Sequence, residues 1–421
     1  MKGKWFIYSV ISLALVFSIA SCDLFDDDSQ IPHTQNNYLI SYTQVASYPQ
    51  QLVKVYLESV GRSIPEAAGL SQMVQYGFWV YKVNYKTKYK TEDKVASGLV
   101  CVPMSNGSFP LLSFQNGTNT LHSKAPSVNP GDSLYTLIEA VSSLGFVVVL
   151  PDYLGFGASK EMFHPYLNKA STISSITDMY RAVREMASPD YLNFTLRKDV
   201  FLMGYSQGGW ATMALAKELE TKLSSEFTLK ASSCGAGPYD LNFVAKSVLS
   251  QQVYPQPYFM AYILNSYIKS GSVKNSFGDI LNSPFSASGY IPALFDGTKD
   301  ASTINSKLTT QVNDLFVQDF RANFETGEKF ASLREAFTEN SVAPWKTTKP
   351  LLMVHGQADN LVTPLVSTNV YGQFLALGVP TTVINLVPLP ALDHNSAVIT
   401  WGLLSLDRKS TRLNSSHVSQ Y

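Results

Sequence analysis

The segment from Asp199 to Trp210 restricts what this chain can fold into more than any other part of its sequence. It reads Asp-Val-Phe-Leu-Met-Gly-Tyr-Ser-Gln-Gly-Gly-Trp and places Ser206 in a Gly-x-Ser-x-Gly frame. The apolar residues before Ser206 predict a buried strand, and apolar residues at helical spacing after it predict a helix. Because a strand that turns directly into a helix is crowded, Gly204 and Gly208 must lack side chains. The serine hydroxyl then lies beside a helix N-terminus, whose N–H groups can stabilise an oxyanion.

An alternative for the same residues is a glycine-rich turn whose serine only caps a helix. A catalytic serine needs a base and an orienting acid beside it. Among the histidines, His394 directly follows the last predicted strand and is the candidate base. The other five lie in the N-terminal tether, in the C-terminal stretch or at positions that do not fit the required chain order: His33, His417, His122, His164 and His355.

The candidate acid is Asp359, which ends the segment Leu351-Leu-Met-Val-His-Gly-Gln-Ala-Asp. An apolar strand leads into this loop, and open α/β sheets place their chemistry at the carboxyl ends of their strands. Asp393, next to His394, is the weaker alternative. The sequence therefore predicts a triad in the order Ser206, Asp359, His394.

Strands that alternate with helices predict a mostly parallel sheet with helices on both faces. Between about residues 239 and 345 we find helical stretches, among them 254–268 and 302–324, but no convincing parallel strand. Such a length predicts an inserted helical cap at 239–345, within a main domain of residues 46–238 and 346–406. The aromatic residues of this cap either pack it against the main domain or line an apolar cleft. A further short helix is predicted over 64–74.

Residues from about 75 to 406 resemble the α/β-hydrolase superfamily. The position of the cap is similar to that in its secretory lipase and esterase branch. Asp152-Tyr-Leu-Gly-Phe-Gly-Ala-Ser159 and His355-Gly-x-x-Asp are similar to two loops of the superfamily. The resemblance implies an α/β fold with an eight-stranded-type, mostly parallel sheet. It also implies acyl transfer by a serine, without metal or organic cofactor.

The resemblance further implies an oxyanion hole made of two backbone N–H groups. One belongs to Gln207, directly after the serine. The other belongs to the loop that follows the third strand, where Thr118 is the candidate and Gly117 the alternative. Many relatives carry His-Gly where this chain has Asn116-Gly117. A plain Asn-Gly turn is the other interpretation of this loop.

Residues 1–21 have the pattern of an export signal, with Lys2 and Lys4 before an apolar run that is too short to span a membrane. The end of this run, Ile19-Ala20-Ser21-Cys22, resembles the bacterial lipobox, in which the cysteine is lipidated. The acidic residues that follow resemble the surface-export signal of Bacteroidetes-type lipoproteins. An ordinary secretory signal and a plain acidic linker are the alternatives. We therefore expect a lipid anchor on Cys22, a flexible tether over 22–45 and a location on the outer membrane of the cell envelope.

The far C-terminal stretch, 407–421, resembles the translation of a sequencing adapter, and a genuine polar tail is the alternative. The chain carries 32 basic and 32 acidic residues, which gives no electrostatic reason to expect nucleic acid as a partner. No metal-ligand spacing is present. Cys101 and Cys234 each lie in an apolar run and are expected to be buried free thiols.

These features together predict a serine carboxylic-ester hydrolase that acts on apolar or carbohydrate-linked esters. A serine peptidase of the same fold and a surface binding protein without catalysis are the alternatives. An intact set of Ser206, Asp359 and His394 argues against the binding protein.

Overall fold

The computed structural model describes residues 36–406, so the predicted export signal, Cys22 and the stretch from residue 407 lie outside the described residues. Within this range nine strands form one sheet in the order β1-β2-β3-β5-β4-β6-β7-β8-β9. The strands are β1 (Leu39–Tyr48), β2 (Phe78–Tyr89), β3 (Glu92–Pro103), β4 (Ser108–Gln115), β5 (Val147–Pro151), β6 (Thr195–Tyr205), β7 (Thr228–Gly235), β8 (Leu351–Gly356) and β9 (Ile384–Leu389).

The sheet is antiparallel at its beginning and parallel at its end. Strands β1, β2, β3 and β5 pair antiparallel, whereas β4 pairs with β5, and β7 with β8 and β9, in parallel. Strands β5 and β8 are buried along their whole length, as expected for strands covered on both sides. The predicted α/β class with a mostly parallel sheet is thereby confirmed.

The predicted tether of residues 22–45 is wrong at its C-terminal end, because β1 begins at Leu39 and adds a ninth strand. Polar residues dominate this edge strand, and only Leu39 is buried, so its composition resembles that of a linker. Backbone pairing with β2 orders it. The Glu185 carboxylate also accepts the backbone N–H groups of Asn37, Tyr38 and Leu39 at 2.9, 3.0 and 2.7 Å.

From β4 onward, helices alternate with the strands along the chain. They are α1 (Gln50–Ser63), α2 (Ser133–Glu139), α3 (Lys169–Met186), α4 (Gln207–Thr221), α5 (Leu241–Leu249), α6 (Tyr258–Lys269), α7 (Phe277–Ile280), α8 (Tyr290–Leu294), α9 (Ala301–Asn305), α10 (Val312–Leu315), α11 (Gln318–Asn323), α12 (Ala331–Asn340), α13 (Leu365–Ala376) and α14 (Ala397–Leu406). Helices α5 to α12 occupy the segment between β7 and β8. Among residues 36–406 no helix combines the length and the apolar character needed to cross a bilayer.

Two helix predictions are wrong in detail. Residues 64–74 form two short 3₁₀ turns, Pro65–Ala67 and Leu70–Met73, with Ala68 and Gly69 between them. The stretch 302–324 is divided into α9, α10 and α11. The break between α9 and α10 follows from backbone bonds outside the stretch, because Tyr254 N–H donates to Thr310 O at 2.8 Å and Val312 N–H to Gln252 O at 3.0 Å.

The described residues form two compact units. The first contains the residues up to Phe114 together with Ser123–Ser159 and Ser174–Asp199. The second contains Gln115–His122, Lys160–Ile173 and the residues from Val200 onward. Cys101 in the first unit and Cys234 in the second are both buried and free, as predicted.

The second unit holds all the predicted catalytic residues. Strand β6 ends at Tyr205 and α4 begins at Gln207, so Ser206 alone separates them. Because β8 and β9 are parallel, the loops that follow them leave the same edge of the sheet, and these loops carry Asp359 and His394. Helix α4 packs against β7, and α14 packs against β7 and β8.

Candidate active site

Ser206 has backbone angles of φ 59° and ψ −121°, a conformation that residues other than glycine rarely adopt. Its backbone N–H donates to Gly235 O at 2.8 Å, which fixes the turn. A Cβ at Gly204 would overlap the carbonyl group of Gly208, and a Cβ at Gly208 would overlap the carbonyl oxygen of Gln115. The two glycines therefore lie where the sequence analysis expects them, on either side of a strained serine.

A continuous chain of hydrogen bonds joins the three predicted catalytic side chains. His394 Nε2 lies 2.9 Å from Ser206 Oγ, and His394 Nδ1 lies 2.6 Å from Asp359 Oδ2. Since a carboxylate only accepts, Nδ1 carries the proton and Nε2 is the acceptor for the serine hydroxyl in neutral His394. All three residues are buried, and Ser206 retains 9% of its surface exposed. Residues that are distant in the chain thus meet in the order hydroxyl, imidazole, carboxylate.

The Asp359 carboxylate accepts four hydrogen bonds. Its Oδ1 accepts the backbone N–H groups of Leu361 and Val362, both at 2.9 Å, and its Oδ2 accepts from His394 and, at 3.1 Å, from His355. Burial acts to raise the pKa of this carboxyl, but the hydrogen bonds from His355 and His394 outweigh it and hold the pKa well below its usual range. Asp359 is therefore an anion at neutral pH.

His355 bonds directly to Asp359, a contact that was not predicted from the sequence, where this histidine counted as a rival base and as the first residue of the acid-loop motif. Its Nε2 faces two acceptors, Asp359 Oδ2 at 3.1 Å and Val362 O at 2.9 Å, so this nitrogen carries the proton. Its Nδ1 then accepts the Ser367 hydroxyl at 2.7 Å. The signal that could have revealed this role is its position at the end of β8, four residues before Asp359.

Asp393, the alternative acid, is exposed and bonds to its own loop. Its Oδ1 accepts from Asn395 N, Ser396 N and Ser396 Oγ at 3.1, 2.8 and 2.7 Å, just before α14 begins. Its side chain thus stabilises the turn into the helix, while Asp359 is the carboxylate bonded to His394.

Gln207, the predicted first oxyanion donor, is the first residue of α4. Backbone N–H groups in the first turn of a helix have no acceptor within the helix, so they are available to a ligand. The Gln207 side chain points to His164, with 3.0 Å between the two Nε2 atoms. Thr212 Oγ1 donates to Gln115 Oε1 at 2.9 Å, which attaches α4 to the end of β4, where the loop of the second donor candidates begins.

That loop contains Gly117 and Thr118, the two candidates for the second donor. A Cβ at Gly117 would have Tyr205 O as its nearest neighbour, at 3.6 Å, so the loop passes close to the residue before Ser206. The Thr118 side chain is held by Tyr166, with 2.7 Å between their hydroxyl oxygens. Gly117 is thus next to the turn that carries Ser206, and Thr118 follows it in the loop.

Aromatic residues line one side of this loop. The ring of Tyr262 in α6 stacks between those of Tyr166 and Phe295, with centroids 4.4 and 4.3 Å apart. Its hydroxyl donates to Asn119 O at 3.2 Å. The Tyr254 hydroxyl donates to Leu361 O in the acid loop at 3.1 Å. The segment between β7 and β8 therefore contacts both the loop of the second donor and the loop of the acid.

Comparison with known proteins gives one family and several related structures. The family model of secretory lipases matches residues 127–388, more than half of the chain. No curated protein sequence matches the chain. A Legionella pneumophila protein named as a hydrolase is 25% identical, with 87% of this chain and 95% of that chain covered and a TM-score of 0.75.

Two further structures share the fold at lower identity. The rice cell wall degrading esterase LipA from Xanthomonas oryzae is 24% identical, with 87% of this chain and 94% of that chain covered and a TM-score of 0.71. Candida antarctica lipase A in its closed state is 17% identical, with 91% and 85% covered and a TM-score of 0.62. All three superpose over most of their length.

Proposed function

This chain belongs to the secretory lipase family, and from that premise we propose that it hydrolyses carboxylic esters with Ser206 as nucleophile, His394 as base and Asp359 as orienting acid. Membership of this family places the chain among the lipase and esterase hydrolases. The observation that supports the specific residues is the chain of hydrogen bonds from Ser206 Oγ through His394 to Asp359, at 2.9 and 2.6 Å.

In the first half of the reaction, His394 Nε2 takes the proton of Ser206 as the serine oxygen attacks the ester carbonyl carbon. Asp359 keeps the imidazole in the tautomer with the proton on Nδ1 and stabilises the imidazolium that forms. The alcohol then leaves with the proton from His394, and the acyl group remains on Ser206.

In the second half, His394 takes a proton from water as the water oxygen attacks the acyl-enzyme, and Ser206 regains its proton as the acid departs. We assign the oxyanion of both tetrahedral intermediates to the backbone N–H of Gln207 and that of Thr118, with Gly117 as the alternative to Thr118. One such donor lowers the barrier by about 3 kcal/mol.

Hydrolysis of a panel of esters and amides tests this function. We expect the purified protein to hydrolyse aryl esters, with a rate that depends on acyl chain length, and to leave peptide amides intact. Ser206→Ala should lower kcat by at least about 10³-fold, because the acyl-enzyme cannot form. Ser302→Ala, which removes an exposed hydroxyl in α9, serves as the matched control. Ester turnover that survives Ser206→Ala would refute the nucleophile, and a preference for amides would indicate a peptidase.

For the substrate, we propose that residues 239–345 form a cap whose aromatic residues, Tyr262 and Phe295 among them, bind the apolar part of an ester. Tyr262 and Phe295 are both buried and stacked beside the loop of the second oxyanion donor. The cell wall degrading esterase among the structural neighbours makes carbohydrate-linked esters the second class to test.

The family supports an extracellular or envelope location. We propose in addition that Cys22 carries a lipid anchor, as its lipobox-like context suggests, and that nucleic acid is not a partner. Wild-type protein expressed in a bacterium should partition into the detergent phase of a phase-separating detergent, and Cys22→Ser should move it to the aqueous phase. A Cys22→Ser variant that still enters the detergent phase would rule out the anchor.

A further inference from the structure

Tyr205, the residue directly before the nucleophile, contacts His394 in two ways. Its hydroxyl donates to the backbone carbonyl of His394 at 2.8 Å. Its ring lies edge-on against the imidazole, with centroids 5.3 Å apart and planes inclined at 60°. The same side chain therefore restrains both the backbone and the ring plane of the base.

The Tyr205 ring is itself held in place. It is buried, and its ring centroid lies 5.3 Å from that of Trp401 in α14. Trp401 is anchored in turn, because its Nε1 donates to Ser233 Oγ in β7 at 3.1 Å. On β7, a Cβ at Gly235 would overlap the Tyr205 ring. The ring thus occupies a space that other residues of the second unit leave for it, and it cannot turn away from His394 without disturbing them.

The Tyr205 hydroxyl is a permanent donor. Burial raises the pKa of this phenol, and the negative charges of Asp359 and Asp393 raise it further. It therefore keeps its proton throughout the pH range in which an esterase is assayed. The bond to the His394 carbonyl persists in the same range.

Together with the peptide bond between Tyr205 and Ser206, these contacts form a closed cycle of bonds that contains Ser206 and His394. The peptide bond joins Tyr205 to Ser206, the phenol hydroxyl binds the His394 backbone, and His394 Nε2 returns to Ser206 Oγ at 2.9 Å. Without the phenol, the position of the imidazole relative to the serine depends on the loop after β9 and on the single bond to Asp359.

We propose that Tyr205 is a positioning residue that sets the distance and angle between His394 and Ser206. The inference rests on the proposed function, since it concerns the proton transfer between these two residues. Proton transfer is sensitive to small displacements, so an error in imidazole position lowers the rate of the chemical step more than substrate binding.

The substitution Tyr205→Phe tests this role, because it removes the hydroxyl and keeps the ring. We expect kcat for an aryl ester to fall about tenfold, with KM within twofold of wild type. Labelling by an organophosphonate should slow by a similar factor but reach the same final stoichiometry, because Ser206 is still present. Tyr205→Leu, which also removes the ring contact, should lower kcat further.

Tyr85→Phe is the matched control. Tyr85 is fully buried in β2, and its hydroxyl has no hydrogen-bond partner among the described residues, so its removal should leave kcat unchanged. The inference is overturned if Tyr205→Phe keeps kcat within twofold of wild type, or if only KM changes. If the wild-type protein neither turns over esters nor reacts with the phosphonate, the proposed function fails instead. If Tyr205→Leu does not fold, the kinetics of Tyr205→Phe alone still test the positioning role of Tyr205.

Discussion

Asp359 and Asp393 are chemically identical side chains that meet different surroundings near the same imidazole. Asp359 is buried and accepts a hydrogen bond from His394 Nδ1–H at 2.6 Å. Asp393 is exposed and accepts from the N–H and hydroxyl of Ser396. In the proposed mechanism, the carboxylate that orients the base is therefore Asp359, in the loop after β8, and Asp393 stabilises only the start of the helix.

The same substitution at both positions separates these roles. Asp359→Asn should lower kcat by about 10³- to 10⁴-fold, because an amide nitrogen in place of Oδ2 favours the wrong imidazole tautomer. Asp393→Asn should keep kcat within about twofold, because asparagine caps a helix as well as aspartate does. Steady-state kinetics on one aryl ester measures both. A larger loss in Asp393→Asn than in Asp359→Asn would reverse the assignment.

Chain order and strand context led to Ser206, Asp359 and His394 as the candidate triad, and these three side chains are hydrogen-bonded to one another in the structure. The supporting contacts were not accessible in that way. The His355 side chain contacts Asp359 because the loop after β8 folds back to the end of that strand. The Tyr205 hydroxyl contacts His394, which is 189 positions away in the sequence. Such contacts depend on side-chain directions, which a one-dimensional pattern does not contain.

Among the elements, the turn from β6 into α4 is predictable because apolar periodicity and two glycines agree on it. Strand β1 was not, since an edge strand with an exposed face needs little apolar sequence. The stretch 302–324 was predicted as one helical region, but backbone bonds to residues 252 and 254 break it. The local helix propensity of a segment is overridden where a backbone segment distant in sequence supplies its hydrogen-bond partners.

The close approach of α4 to the loop of the second oxyanion donor leads to a prediction for Gly208. In Gly208→Ala the new methyl group would overlap Gln115 O, so α4 and the loop must separate. We expect a loss of about 1–3 kcal/mol in the free energy of unfolding and at least a tenfold fall in kcat, because the two donors no longer converge.

Gly372→Ala is the control for this substitution. Gly372 lies in α13, and a Cβ there would meet no atom within 4 Å, so alanine should stabilise the protein by up to about 1 kcal/mol. Chemical denaturation and ester kinetics give both quantities. Equal effects of the two substitutions would mean that the elbow is not crowded in the way described.

For the molecule as a whole, one buried carboxyl contributes a pH-dependent term to stability between weakly acidic and weakly basic pH. Glu139 is fully buried in the first unit, and neither of its carboxylate oxygens has a hydrogen-bond partner among the described residues. Burial raises the pKa of this carboxyl to about 8. In the unfolded chain a glutamate has its ordinary pKa of 4.5. Between these values the folded state binds the extra proton, so the free energy of unfolding falls as pH rises.

We therefore expect Glu139→Gln to remove this slope. The variant should gain most over wild type at pH 8, by a few kcal/mol at about 1.4 kcal/mol per pKa unit, and least at pH 5. Thermal unfolding between pH 5 and 8 measures the difference. Glu335→Gln, which removes an exposed carboxylate, should show the wild-type slope. Wild type and Glu139→Gln with parallel pH profiles would contradict the prediction.

The backbone of Ser206 has a consequence for attempts to make this protein more heat-resistant. A non-glycine residue at φ 59° and ψ −121° stores roughly 1–3 kcal/mol of conformational strain. A glycine at this position would relieve that strain and raise the melting temperature, and it would also remove the oxygen that we propose as the nucleophile. If that proposal is right, directed evolution that selects for thermal tolerance alone drifts toward inactive chains, and a library for this protein should leave that codon unvaried.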